Sequence, residues 1–137
     1  MQTVTIFKKA TDVNNPWYVS VGYIVERIRN GKDRSLTDLL RMQPDPEKRK
    51  DIKKKLPAIC FSGTFSKRED AGLIKHSGLI AIDFDHLGDR LPELRKRLTD
   101  DPHTFILFLS PSGDGLKLVV RRSEEHTSEL QSHGLIS

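Results

Sequence analysis

The chain has 137 residues, 36% hydrophobic and 31% charged, and its 23 Lys+Arg against 19 Asp+Glu leave a formal charge of +4. This suits one compact domain rather than two; a lone cysteine, Cys60, excludes an intramolecular disulfide and any cysteine-built zinc cluster. The longest apolar runs, at 78–82 and 105–109, fall far short of the roughly 20 residues a membrane span needs and no signal-like segment opens the chain, so the expectation is a cytoplasmic protein with no membrane partner and a tilt toward polyanions.

Val4 and Ile6 alternate with Thr3 and Thr5, which predicts an edge or half-buried strand over 3–9. Asn14, Asn15 and Pro16 make a turn. Val21, Ile24, Val25 and Ile28 recur at helical spacing, giving an amphipathic helix that stops at Asn30 and Gly31. Ser35 is placed to cap a short helix carrying Leu36, Leu39 and Leu40. Pro44 and Pro46 separate it from a basic helix over 47–55. A short apolar strand follows at 57–61. Ser66 and Glu69 have the spacing of a capping box, which predicts a helix to about His76. Leu79 to Ile82 reads as a buried strand. Asp89 is expected to cap a helix with Pro92 in its first turn and Leu94 and Leu98 on its apolar face. Thr104 to Leu109 is another buried strand, and 116–120 returns as the second arm of a hairpin. Strands and helices mixed in this order predict an α+β fold, with a mainly antiparallel sheet and packed helices.

Two segments carry chemistry. Residues i and i+2 of a strand share a face about 6–7 Å apart, so Asp83 and Asp85 aim two carboxylates together at the end of the 79–82 strand. Ionised carboxylates that close repel each other unless a cation separates them. Mg²⁺ or Mn²⁺ suits an all-oxygen pair, and such ions serve phosphoryl and nucleotidyl transfer. The plainer reading is a solvated strand end. The second segment, residues 110–117, sets Ser110, Ser112, Gly113 and Gly115 in a tight turn with Lys117 just inside the next strand. Its amides and ammonium could hold a triphosphate; the plainer reading is an ordinary hairpin.

Together with residues 56–65, these two segments resemble the primase-like N-terminal domain of VirE-type (virulence-associated E) replication proteins of mobile elements, in the archaeo-eukaryotic primase–polymerase superfamily. The resemblance implies an RRM-like primase–polymerase core in which Asp83 and Asp85 are the catalytic, metal-binding carboxylates, with Mg²⁺ or Mn²⁺ as cofactor. It implies nucleotide binding by Ser110, Ser112, Gly113, Gly115 and Lys117, where the superfamily often has His in place of Lys117. The parent protein would then be a DNA primase or polymerase taking nucleoside triphosphates and a DNA template in replication of a mobile element or phage. A third acidic motif and an ATPase or helicase domain would lie downstream of residue 121.

Other residues are weighed singly. Lys48, Arg49, Lys50, Lys53 and Lys54 are candidate nucleic-acid contacts, against a simple solvated face. Arg68 is a candidate for the nucleotide phosphates. Trp17 and Tyr18 read as core rather than as base-stacking residues, His86 as a locally bonded loop residue rather than a metal ligand, and Cys60 as a small buried apolar group. Two other functions fit parts of the pattern. A haloacid-dehalogenase-type phosphohydrolase would use Asp83 as nucleophile and Asp85 as general acid. A non-catalytic nucleic-acid-binding module would use the fold and its charge alone.

From Arg122 the chain runs Arg-Ser-Glu-Glu-His-Thr-Ser-Glu-Leu-Gln-Ser-His, which resembles the in-frame translation of a short-read sequencing adapter. The expectation is a C-terminally truncated domain over 1–121, inactive as it stands, with a non-native tail over 122–137. Glu124, Glu125 and His126 are accordingly set aside as metal ligands. Without the tail's one Arg and three Glu, the remainder has 22 basic against 16 acidic residues, or +6.

Overall fold

The computed structural model describes residues 2–122; from residue 123 on, the tail lies outside the described residues. The coarse class is as expected: α+β, with four α-helices and antiparallel strands among the described residues. The chain divides into two compact units, with the boundary between Ser77 and Gly78.

In the N-terminal unit, β1 (Thr3–Phe7) is the centre of a three-stranded sheet, flanked by β2 (Trp17–Ser20) and β3 (Ala58–Cys60). An edge or half-buried strand was expected, but β1 is central and Val4, Thr5, Ile6 and Phe7 are all buried. Thr5 disguises this, because its alternation with Val4 and Ile6 mimics a half-wet strand. Its hydroxyl is buried and satisfied, donating to the Gly63 carbonyl at 2.9 Å and accepting from the Phe65 amide at 3.0 Å. A polar group fully paired in this way tolerates the core.

Helix α1 (Val21–Arg29) follows the predicted period, with Ser20 accepting from the Tyr23 amide as its N-cap. Helix α2 (Arg34–Met42) begins before Ser35, so Ser35 lies in its first turn and does not cap it. Asp33 precedes the helix and gives both carboxylate oxygens to Arg27, each at 2.9 Å. The basic helix α3 (Pro46–Lys55) packs Ile52, together with Leu56 just past its end, against Leu40, with Leu36 alongside.

The helix expected over 66–76 does not form. A turn of 3₁₀ helix at Asp70–Gly72 leads into β5 (Leu73–His76), which pairs with β4 (Gly63–Phe65). The capping box fails because both its members bond elsewhere. The Ser66 amide and hydroxyl each donate to the Gly72 carbonyl, and the Glu69 carboxylate meets Lys67 at 2.8 Å.

The C-terminal unit is a three-stranded antiparallel sheet in the order β6 (Leu79–Phe84), β8 (Leu116–Arg121), β7 (Thr104–Leu109), with helix α4 (Leu91–Asp100) against β7. The predicted hairpin is present, with Leu109 opposite Leu116. Strand β6 continues two residues past the predicted end, and only Leu79 of it is fully buried. Asp89 does not cap α4. It sits in a 3₁₀ turn at Gly88–Arg90, and the N-cap position falls on Arg90.

Candidate functional site

Strand register decides which of the candidate side chains meet. Strands β6 and β8 pair so that Ala81 lies opposite Val119, Asp83 opposite Lys117 and Phe84 opposite Leu116. Directly opposed residues share a face, and the Lys117 ammonium donates to Asp83 Oδ1 at 3.0 Å. Both side chains remain partly open to water, at 36% for Lys117 and 49% for Asp83. Asp85 lies one residue past the end of β6, two beyond Asp83, and is exposed.

The turn between β7 and β8 is held against the end of β6. A Cβ placed on Gly115 would lie 2.3 Å from the Phe84 carbonyl oxygen and 3.4 Å from Asp85 Cα, so only glycine allows this approach. Asp114 ties the two loops from the other side. Its carbonyl accepts from the Leu87 amide and its carboxylate from the Gly88 amide, both at 2.9 Å. Between them His86 takes a left-handed φ of 54°, which non-glycine residues seldom adopt. Its ring is almost wholly exposed, and Nδ1 stands 3.9 Å from the Asp114 carboxylate, too far for a hydrogen bond.

The turn is more self-contained than a phosphate cradle needs to be. The Ser110 amide donates to Gly115 and the Gly113 amide to Ser110, each at 2.9 Å, while Gly113 supplies a φ of 82°. Ser110 is buried, its hydroxyl 3.0 Å from that of Ser112. With the Ser110 and Gly113 amides engaged in the turn itself, Lys117 supplies the cationic group beside it.

Arg68 and the basic residues of α3 belong to the N-terminal unit. Lys48, Lys50, Lys53 and Lys54 are exposed. Arg49 is half-buried and donates to the Leu40 carbonyl at 2.7 Å and the Gln43 carbonyl at 3.0 Å, which fixes the end of α2. Arg68 is exposed, and its amide donates to Val13. Cys60 is half-buried, and that burial pushes its thiol pKa up, with Arg68 acting weakly the other way. Trp17 and Tyr18 are about half exposed rather than core.

No group of three or more His, Cys, Asp or Glu side chains able to hold a metal occurs among the described residues. Two carboxylates are nevertheless a sufficient protein contribution where Mg²⁺ is shared with substrate phosphates and water.

The sequence model of the family described as BT4734-like, N-terminal domain, matches residues 51–135. The chain belongs to this family. The match takes in the second half of α3, both carboxylates, the glycine turn and Lys117, and it runs to residue 135, across most of the 122–137 tail. BT4734-like N-terminal domains are a different family from the VirE-type domains, so the expected kinship with the primase–polymerase superfamily is corrected. The error has a physical origin: an Asp-x-Asp at a strand end and a Ser-Gly hairpin are local solutions that many folds reach. No curated protein and no solved structure matches this BT4734-like chain. No helix among the described residues is long and apolar enough to cross a membrane.

Proposed function

We propose that this BT4734-like domain carries the acidic, phosphate-facing part of a metal-dependent nucleotidyl-transfer site that uses nucleoside triphosphates and a DNA template. The observation that carries the reading is the opposition of Asp83 and Lys117 on adjacent strands, with Asp85 two residues further on. Asp83 and Asp85 supply hard oxygen ligands for Mg²⁺ or Mn²⁺, which when bound lowers the charge on the triphosphate and activates the attacking hydroxyl. Lys117 holds Asp83 while the site is empty of substrate. An ammonium released from that carboxylate is placed to meet a phosphate oxygen within reach of the same strand pair.

The swap is energetically easy. An ion pair this open to water contributes about 0–1 kcal/mol, so breaking it costs the fold little. A longer parent protein, with an RRM-like core built around β6 and β8, a further acidic ligand and an ATPase partner, completes the reading. Its setting is the cytoplasm, where nucleoside triphosphates are.

The experiment is Mn²⁺ titration of the chain followed by paramagnetic broadening of backbone amide signals. Broadening centred on Asp83 and Asp85, lost in the Asp83→Asn, Asp85→Asn double variant, is the expected result. Equal broadening in that variant sinks the proposal. In the complete parent protein the same double variant is expected to lose primer synthesis while keeping its fold.

A further inference from the structure

The positive charge of this chain is confined to one unit. Residues 1–77 hold 16 Lys+Arg against 9 Asp+Glu, a formal +7, whereas residues 78–122 hold 7 of each and are neutral. The neutral unit is the one with the paired carboxylates. The basic unit also carries the chain's single tryptophan. Trp17 is 49% exposed at the start of β2, an edge strand of its sheet. It lies opposite Ile6, on the face shared by Lys8, and the Lys8 ammonium stands 4.4 Å from the centre of its ring. Lys9 follows and is also exposed.

An indole is a large flat apolar surface, and about half of this one faces water. Here the residue is placed by its strand pairing, its ring is met by an exposed ammonium, and both lie in a unit of strong positive charge. We infer that Trp17 and Lys8 form a contact site for single-stranded DNA, in which an unpaired base stacks on the indole and Lys8 moves to the adjoining phosphate. An exposed cation–π contact is weaker than a stacked base, and the displaced ammonium gains a phosphate partner, so the exchange favours binding. Charge complementarity selects a polyanion, and the flat ring selects an unpaired base over a duplex edge. Both contacts are to groups that DNA possesses, and neither calls for a 2′-hydroxyl. Tyr18 does not share this role. It points to the opposite face, and its hydroxyl is committed to the Phe65 carbonyl at 2.9 Å.

This inference stands apart from the metal site, and its test contains EDTA so that the two fail separately. Trp17 is the only indole, so quenching of the intact chain's tryptophan fluorescence by oligo(dT) reads the contact directly. The expected result is saturable quenching at low salt that weakens steeply as salt rises. With labelled oligo(dT) followed by anisotropy, Trp17→Ala should weaken binding about tenfold. Trp17→Phe, which keeps a stacking ring and an aromatic edge strand, should stay within a few-fold of the parent. Lys8→Ala should flatten the salt slope by about one phosphate contact. No quenching, or unchanged affinity in a folded Trp17→Ala, overturns the inference. So does equal quenching by a duplex or by polyglutamate, or tighter binding of oligo(rU).

Discussion

Asp83 and Lys117 face each other across the β6–β8 ladder, and their side chains close the gap with one hydrogen bond of 3.0 Å. The pair is too exposed to matter much to the fold, which separates its structural and chemical roles. Lys117→Met should shift stability by no more than about 1 kcal/mol in urea unfolding. The same change should weaken triphosphate binding about tenfold or more through loss of a charge-assisted contact. A large stability loss with unchanged nucleotide binding would make the pair purely structural.

Gly115 offers the opposite case. A methyl group there meets the Phe84 carbonyl at 2.3 Å, and backbone on both sides cannot swing away. Gly115→Ala should therefore cost about 1–3 kcal/mol, the usual range for overpacking. Because the turn must back off from Asp85, Mn²⁺ affinity should fall as well, whereas Gly113→Asn, at a φ of 82°, should be milder. Thermal unfolding and Mn²⁺ titration of both variants check the order.

In the N-terminal unit, Thr5→Val keeps the shape of a fully buried residue but strands two backbone groups, the Phe65 amide and the Gly63 carbonyl. The expected loss is about 1–3 kcal/mol. Hydrogen exchange at the Phe65 amide should accelerate by more than global unfolding alone explains.

A pH prediction concerns Asp101. The backbone amide of His103, and then its ring, donate to this carboxylate and hold its pKa below the ordinary aspartate value. A depressed carboxylate contributes stability above its unfolded pKa and loses it as pH falls through the lower folded value. The effect belongs below about pH 4 and is small, since the group lies at the surface. A carboxyl-carbon NMR titration should give Asp101 a midpoint below the ordinary aspartate value, moved back toward it in His103→Ala.

What was legible in the sequence was whatever local period controls. Helix α1, the basic α3 and the β7–β8 hairpin follow from spacing and turn residues, and so do the positions of Asp83 and Lys117. Their pairing does not, because register between strands more than thirty residues apart is set by the sheet as a whole. Strand β5 was hidden by a capping signal that the fold spends on other bonds. Strand β2 was hidden by its place directly before a helix, where Trp17 and Tyr18 read as a lead-in to core packing. The centrality of β1 was masked by one threonine whose hydroxyl is satisfied by a strand nearly sixty residues away.

The double grip of Asp114 on Leu87 and Gly88 has a mechanical corollary. Together with the close approach at Gly115, it joins the serine turn and the acidic loop directly rather than leaving them as two separate flaps. On the proposed reading, a ligand that shifts one loop carries the other with it, so the phosphate side and the carboxylate side of the site respond together.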